Sequence, residues 1–295
     1  MRTLLAEYTL SHEPTLALEG AAMLSVLSSS FKRCGYDVVI PENGDFGDEI
    51  SHLAPSCDFG LVIAPDHLLP KYTMIIEQYS HNIGCGSMNA AICANKVKTA
   101  KILREHGIPV PKEIKSGLRV IKPVTGCGSQ GVRLSDQIDG KDEFGQEYIK
   151  GDCLSVSLIA SRVVGEACLY FSGISPLVLA INRQNIKIDG GGVFHYLGGE
   201  TPIDHPRSAE IIQIAQKTVS VLGCQGYCGV DVIVSDKVYV VDVNPRITTS
   251  LIGITACMRE EIAELLVSAS KGNAADQVHL TGKVRFNKKG GVVPI

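Results

Sequence analysis

The sequence lacks the features that mark a nucleic-acid-binding or a membrane protein. The formal net charge is -3 and the lysines and arginines are scattered, so no basic stripe is available for a phosphodiester backbone. No apolar run approaches the length of a membrane span. Glu7 also interrupts the first hydrophobic stretch, which argues against a signal sequence. We therefore expect a cytoplasmic protein that binds neither nucleic acid nor a membrane.

Several chemical signatures are missing as well. The ten cysteines are irregularly spaced and lie mostly in apolar runs, so no disulfide framework is predicted. Cys224 and Cys228 come nearest to metal-ligand spacing, but they lack a second pair and are interpreted as packing residues. The eight histidines form no recognisable metal or triad pattern. No segment matches the Walker A or the dinucleotide-binding pattern.

The pattern of hydrophobic residues predicts two or three compact units. Residues 1–84 alternate between strands at 3–8, 36–40 and 59–64 and a helix at 15–34, which favours a parallel α/β unit. A helix at 88–106 and strands at 119–122 and 145–149 belong to a small unit at 85–150. An α+β unit is predicted for 151–295, with strands at 154–159, 167–171 and 177–181 and helices at 208–222 and 259–270. The glycine-rich stretch 184–205 is expected to be a mobile loop over a site.

An acidic hairpin near the C-terminal end is the strongest chemical signal. If Asp236 and Lys237 form a two-residue turn, Asp231 pairs with Asp242 and Asn244 lies on the same face two residues on. Carboxylates placed opposite each other repel, and a bound cation would offset this. Mg²⁺ is the natural candidate, with Mn²⁺ as an alternative and room for a second site. A surface hairpin whose aspartates face water remains the alternative interpretation.

Other segments contain candidates for holding phosphates and a base. The run 125–131 contains three glycines whose backbone can approach an anion. Lys122 ends the strand that enters this loop, and Lys96 lies on the preceding predicted helix. Residues 146–151 form a strand that runs into Gly151 and could hydrogen-bond an adenine edge. Each segment also has an ordinary structural interpretation: a plain hairpin, a solvated lysine or an inter-domain strand.

The order of these elements resembles the ATP-grasp superfamily. The match covers roughly residues 84–250 and ends with Asn244-Pro245-Arg246. It implies an ATP-grasp fold with a preceding parallel α/β domain, ATP as cosubstrate, and Mg²⁺ bound by Asp231, Asp242 and Asn244. Arg246 and Lys122 are the implied catalytic residues. The implied ATP-binding residues are Lys96, Lys122, Gly126, Gly128, Ser129, Gln130, Gly131, Glu147, Tyr148, Ile149 and Asp152.

The sequence departs from the superfamily pattern at three positions. Cys153 stands where a ribose-binding glutamate is usual, so the neighbouring Asp152 is assigned that role. Asp242 is one methylene shorter than the common glutamate ligand. Gly229 stands where an arginine is usual, and Arg183 is a candidate to supply the missing positive charge.

Within the superfamily the sequence most resembles the ligases that join tyramine to L-glutamate in methanofuran biosynthesis. The likeness rests on Ala6-Glu7-Tyr8, on Leu18-Glu19-Gly20 and on residues 242–250. It implies that a carboxylate is activated as an acyl phosphate and then captured by an amine. Glu7, Arg183 and Thr248 are the candidate substrate contacts. Other amino-acid or peptide ligases, a phosphotransferase, a nucleotide-binding regulatory module and a homodimeric assembly remain open alternatives.

Overall fold

The computed structural model describes residues 1–42, 44–126, 130–138, 140–161 and 175–295. Gly128, Ser129 and the predicted strand at 167–171 lie outside these ranges. The described strands form three separate sheets of four, three and seven strands. The first sheet lies within the range predicted for the N-terminal unit, the second within 85–150 and the third within 151–295.

The first sheet is parallel, as predicted, with the strand order β2-β1-β3-β4. Its strands are β1 (Arg2–Glu7), β2 (Asp37–Val39), β3 (Phe59–Ile63) and β4 (His81–Asn82), and its helices are α1 (Thr9–His12), α2 (Ala17–Arg33), α3 (Phe46–Leu53) and α4 (Leu69–Tyr79). Helix α2 buries an apolar stripe that includes Leu24, Leu27 and Phe31. Helices α3 and α4 were not recognised in the sequence. Asp45 caps α3 by accepting hydrogen bonds from the backbone nitrogens of Gly47 and Asp48.

The single helix predicted for residues 88–106 is wrong. The segment contains two helices, α5 (Ser87–Ala94) and α6 (Lys96–Glu105). Asn95 separates them because its backbone is extended and its side chain caps α6, accepting a hydrogen bond from the Lys98 nitrogen at 3.0 Å. Lys96 is thereby the first residue of α6 rather than an interior helical residue.

The second sheet is antiparallel, with the order β6-β5-β7. Its strands are β5 (Arg119–Pro123), β6 (Arg133–Ser135) and β7 (Glu143–Gln146). Strand β7 ends at Gln146, so Tyr148 and Ile149 follow the strand instead of belonging to it. Lys122 lies in β5, near the point where the chain enters the glycine-rich run.

The third sheet is antiparallel, with the order β12-β11-β8-β9-β10-β13-β14. Its strands are β8 (Asp152–Ala160), β9 (Leu177–Ile188), β10 (Phe194–Thr201), β11 (Gly226–Val234), β12 (Val238–Asn244), β13 (Val284–Phe286) and β14 (Val292–Pro294). The accompanying helices are α7 (Ser208–Val221), α8 (Ser250–Cys257) and α9 (Ile262–Ser270). Buried apolar residues cover both faces of this sheet.

The mobile loop predicted for residues 184–205 is also wrong. Most of this segment belongs to β9 and β10, which pair with each other from Ile188 and Phe194 outward. The glycines that suggested a loop lie in the turn between the two strands, at 190–192, and at a bulge of β10, at Gly198 and Gly199. No helix in the described ranges is long and apolar enough to span a membrane.

Candidate active site

Asp231 of β11 and Asp242 of β12 are directly paired, as the sequence predicted. The connection that creates this pairing differs from the prediction. Val234 pairs with Val238, so the turn contains three residues rather than two. A β-bulge follows, because Val232 pairs with Val240 while Asp231 pairs with Asp242. Val241 is the additional residue, and it restores the register that sets the carboxylates side by side.

The Asp231 carboxylate accepts hydrogen bonds from two side-chain amides. Gln184 Nε2 lies 3.0 Å from Oδ1, and Asn244 Nδ2 lies 3.2 Å from Oδ2. Burial, reinforced by the negative charge of Asp242, raises the pKa of Asp231 to about 7. The fold therefore holds two acidic groups so close together that one of them resists ionisation.

Lys96 supplies the positive charge that faces this pair. Its Nζ lies 2.6 Å from both carboxylate oxygens of Asp242, and its side chain is only 8% exposed. Burial by itself lowers the pKa of Lys96, but the adjacent Asp242 carboxylate more than offsets this, and the pKa is raised. The Lys96 ammonium is thus a positive charge in direct contact with the Asp242 carboxylate.

The donor set fits a hard divalent cation. Asp231, Asp242 and Asn244 offer carboxylate and amide oxygens from adjacent strands, which are the ligands that such a cation prefers. No group of three or more His, Cys, Asp or Glu side chains in the described residues forms a metal cluster. The remaining ligands would accordingly have to come from phosphate oxygens and water.

Lys122 approaches the same place from the second sheet. Its Nζ donates a hydrogen bond to the Val241 carbonyl oxygen at 3.0 Å. Burial lowers the pKa of Lys122 to about 8, although Asp242 acts in the opposite direction. The two lysines therefore differ: the Asp242 carboxylate raises the pKa of Lys96, whereas burial lowers the pKa of Lys122.

A single cavity extends from these lysines to the segment that follows β7. It is lined there by Glu147, Tyr148 and Ile149, together with Gly126 and Gln130 from the glycine-rich run. Gln146 also lines the cavity, is 4% exposed, and its Oε1 has no hydrogen-bond partner in the described part of the chain. Because an unpaired buried acceptor is costly, this end of the cavity is suited to a ligand that donates a hydrogen bond.

The opposite end of the cavity contains Arg246 and Thr248. Arg246 Nε donates to Asp66 Oδ1 at 2.8 Å, and Asp66 follows the carboxyl end of β3. One guanidinium nitrogen of Arg246 also lies 3.3 Å from Asn244 Oδ1. The Thr248 hydroxyl lies 2.9 Å from the hydroxyl of buried Tyr227. Arg246 is thus oriented by the N-terminal unit while it remains exposed to the cavity.

Four sequence-predicted residues that the structure describes lie outside the cavity lining, namely Glu7, Gly131, Asp152 and Arg183. The Glu7 carboxylate accepts hydrogen bonds from Thr9 and from the backbone nitrogen of Leu10, at the start of α1. Its role as a substrate contact stays a prediction. The Asp152 carboxylate lies 3.3 Å from His205 and 3.7 Å from Arg183, so two of the predicted residues pair with each other. Cys153, next to Asp152, does line the cavity.

Residues 93–250, slightly more than half of the chain, match the ATP-grasp domain family. The chain belongs to the ATP-grasp family. It is also 35% identical, over 214 residues, to the tyramine–L-glutamate ligase of Methanocaldococcus fervens. That match covers 71% of this chain and 65% of the relative.

Further relatives of this ATP-grasp chain agree with the assignment. The tyramine–L-glutamate ligase of Methanocaldococcus jannaschii is 34% identical over 237 residues, which cover 78% of this chain and 69% of the relative. An ATP-grasp superfamily protein from Archaeoglobus fulgidus has 27% identity, a TM-score of 0.76 and covers 97% of this chain and 92% of its own. D-alanine–D-alanine ligase from Bacillus anthracis shares the fold, with 17% identity, a TM-score of 0.66 and coverage of 92% of this chain and 97% of its own.

Four residues of the ATP-grasp site were not selected from the sequence. Asp66 orients Arg246, while Glu19, Gln146 and Tyr196 line the cavity. Asp66 follows a buried parallel strand, and the carboxyl ends of such strands commonly present functional groups. Glu19 lies within the Leu18-Glu19-Gly20 segment that contributed to the family resemblance. The sequence therefore contained signals for Asp66 and Glu19, but spacing alone did not single out these residues.

Proposed function

We propose that this protein is an ATP-dependent ligase that forms an amide from a carboxylate and an amine. The carboxylate substrate attacks the γ-phosphate of ATP, giving an acyl phosphate and ADP. The amine then attacks the acyl carbon and releases inorganic phosphate. Activation is required because a free carboxylate has no good leaving group, and direct condensation in water is unfavourable.

The observation that carries this proposal is the convergence of charges from three sheets on one cavity. Asp231 and Asp242 come from the third sheet, Lys122 from the second, and Asp66 positions Arg246 from the first. Phosphoryl transfer depends mainly on positioning and charge neutralisation. The arrangement would supply both positioning and neutralisation, because Lys96 and Lys122 would lie near the phosphates of ATP and Arg246 near the acyl group.

Lys96 and Lys122 would bind the phosphate oxygens of ATP, and the run that contains Gly126, Gln130 and Gly131 would cover them. Gln146 and residues 147–149 would hold the adenine, with Asp152 as the proposed ribose contact. Arg246 would neutralise the reacting carboxylate, and Thr248 would contact the same substrate. These roles agree with the lining of the cavity except at Gly131 and Asp152, which lie outside it, and Asp152 would also have to turn away from His205.

Asp231, Asp242 and Asn244 would hold Mg²⁺, or Mn²⁺ in its place. When bound, the cation would neutralise charge on the phosphates and help to align the γ-phosphate. The Lys96 ammonium, which contacts both Asp242 oxygens, would then be redirected toward the nucleotide. Asp231 would give up its proton as the cation enters.

We further propose that the acid is L-glutamate, activated at its γ-carboxylate, and that the amine is tyramine. The two Methanocaldococcus relatives named above support this choice of substrates. An alternative amino acid or amine would leave the same nucleotide chemistry in place. The product with this pair would be γ-glutamyltyramine, together with ADP and phosphate.

The test is to incubate the protein with ATP and Mg²⁺, adding glutamate, tyramine or both. We expect ADP release to require both substrates and the product mass to correspond to γ-glutamyltyramine. ADP release that ignores the amine would refute amide formation. A phosphorylated product would instead identify a phosphotransferase, and nucleotide binding without ADP release would identify a regulatory module.

A further inference from the structure

Glu19 lines the cavity from the N-terminal unit, although the preceding Leu18 is 62% exposed. It lies in the first turn of α2. The Glu19 side chain lines the end of the cavity that contains Arg246, Thr248 and Thr249. Glu19 thereby places a carboxylate near Arg246, in addition to the paired carboxylates of Asp231 and Asp242.

The surroundings of Glu19 differ from those of Glu7, the carboxylate predicted from the sequence to bind substrate. Three donor groups, the Thr9 hydroxyl and the backbone nitrogens of Thr9 and Leu10, satisfy Glu7. Glu19 accepts a hydrogen bond from the Thr249 hydroxyl, and burial raises its pKa while Arg246 and Lys288 act in the opposite direction. A half-buried carboxylate can accept several hydrogen bonds, so Glu19 can still receive a donor from a ligand.

Tyr196 connects this carboxylate with the reaction centre. The Thr249 hydroxyl lies 3.2 Å from the Tyr196 hydroxyl, and Tyr196 lines the same cavity. The charges of both Glu19 and Asp231 act on Tyr196. Thr249 therefore links Glu19 to Tyr196, whose hydroxyl is also influenced by the charge of Asp231.

We propose that Glu19 binds the ammonium group of a substrate, an inference that rests on the proposed ligase function. Opposite charges at this end of the cavity complement an amino compound: Arg246 faces a carboxylate or acyl phosphate, and Glu19 faces an ammonium. The ammonium belongs either to the amino acid, at its free α-position, or to the attacking amine. In both cases Glu19 selects substrates that carry an amino group.

The test compares Glu19→Gln with Glu19→Asp and with the control Glu42→Gln, which removes an exposed carboxylate from the same unit. Glu19→Gln keeps the length of the side chain and its bond to Thr249. We expect the KM of glutamate or of tyramine to rise roughly ten- to a hundredfold, with the KM of ATP unchanged. Glu19→Asp should recover part of the loss, and Glu42→Gln should match the unaltered protein.

Glutarate, which is glutamate without its amino group, shows whether the ammonium bound by Glu19 belongs to the amino acid or to the attacking amine. If Glu19 binds the α-ammonium, the unaltered protein discriminates against glutarate and Glu19→Gln loses this discrimination. If Glu19 binds the attacking amine, only the KM of tyramine rises. Unchanged KM values for both amino substrates would overturn the proposal. A parallel fall in kcat, ATP affinity and Tm would also overturn it, because that pattern indicates a structural role.

A binding measurement keeps this inference distinct from the proposed reaction. With a nonhydrolysable ATP analogue present, the shift in Tm is measured for glutamate against glutarate and for tyramine against 4-ethylphenol. We expect one amino compound to raise Tm more than its partner without nitrogen, and Glu19→Gln to abolish that difference, whether or not an amide forms. If neither amino compound is preferred, the Glu19 proposal fails even where ligase activity is present.

Discussion

Arg246 and Asp66 form a buried ion pair between two units of the chain, with Nε and Oδ1 separated by 2.8 Å. The side chains are 12% and 2% exposed, respectively. The pair fixes the direction of the guanidinium that lines the cavity. It also explains how a residue 180 positions away in sequence can influence the substrate end of the site.

Replacing Asp66 with asparagine should therefore reduce both stability and activity. Asp66→Asn keeps the size of the side chain but leaves the Arg246 charge without its buried partner. We expect a loss of about 1–3 kcal/mol in the free energy of unfolding and at least a roughly tenfold fall in kcat/KM. Urea unfolding and steady-state kinetics measure the two effects. Asp37→Asn is the control, because Asp37 forms an exposed pair with Arg2 and should change stability by under about 1 kcal/mol.

Asp231→Asn should stabilise the metal-free protein while it abolishes activity. Burial raises the pKa of Asp231 to about 7 in the folded protein, from an ordinary value of 3.8. The folded state thus holds the proton more tightly than the unfolded chain, and stability should fall as the pH rises from about 4 to about 7. The asparagine variant removes this pH-dependent loss. We expect Asp231→Asn to raise the free energy of unfolding by on the order of 1–3 kcal/mol at pH 8.

Thermal unfolding from pH 4 to pH 8, with and without Mg²⁺, checks this expectation. The unaltered protein should gain stability from Mg²⁺, and Asp231→Asn should not. Asp236→Asn alters an exposed carboxylate in the turn of the same hairpin and should follow the unaltered protein. Equal pH profiles for the two variants would contradict the assigned environment of Asp231.

Lys122 should take up a proton when ATP binds near pH 8. Its pKa of about 8 leaves it about half protonated at that pH, and phosphate oxygens favour the charged form. We expect an uptake of about half a proton by Lys122 per ATP bound without metal at pH 8. Affinity should weaken as the pH rises further. Lys96 should contribute little, because the Asp242 carboxylate keeps it charged.

Calorimetric titrations in buffers of different ionisation enthalpy measure this proton uptake. Lys122→Met should remove it, together with most of the affinity for ATP. Lys237→Met changes an exposed lysine in the hairpin turn and should preserve both. An unchanged proton count in Lys122→Met would show that another group titrates.

Gly229→Ala should disturb the site through Thr248. A Cβ at Gly229 would lie 2.9 Å from the Thr248 methyl group, closer than two carbon atoms normally approach. Thr248 would have to move, losing its contact with Tyr227. We expect a cost of about 1–3 kcal/mol in unfolding free energy and a higher KM for the acid substrate. Gly190→Ala is the control, since nothing lies within 4 Å of its added methyl group.

The same contact explains why an arginine cannot replace Gly229 without rearrangement. The sequence comparison with the superfamily identified the missing arginine and offered Arg183 as a substitute. The structure instead pairs Arg183 with Asp152. Arg183 as a substrate contact therefore stays a prediction that requires its side chain to leave this partner.

Local patterns predicted the elements in which one period holds over most of the length. The parallel α/β unit, the acidic hairpin and the helix that became α7 were recognisable because apolar residues alternate or recur at helical spacing. The extension of β9 beyond residue 181 and the whole of β10 were missed because the glycines at 190–192 and 198–199 indicated a loop, whereas they lie in the turn between the two strands and at a bulge of β10. The break at Asn95 was missed because the flanking residues continue a helical pattern.

Contacts between distant segments account for the remaining omissions. Asp66 lies 180 positions from Arg246, and Glu19 meets Thr249 across a still longer separation. Local sequence spacing reveals neither of these contacts, because each depends on how the first sheet lies against the third. The family resemblance supplied candidate nucleotide-binding residues, but it did not indicate that Asp66 orients Arg246 or that Glu19 lines the cavity.

The bulge at Val241, the additional residue of β12, decides which side chains of this strand face the cavity. Val238 and Val240 are buried in regular alternation, and Val243 follows after a step of three. Val241 and Asp242 therefore both lie on the cavity side. A strand that kept the same residues without the bulge would continue simple alternation, so Asp242 would turn into the apolar interior and Val243 would face the cavity. A local irregularity of one residue, with no change in composition, thus determines whether the hairpin presents a carboxylate or a hydrocarbon side chain.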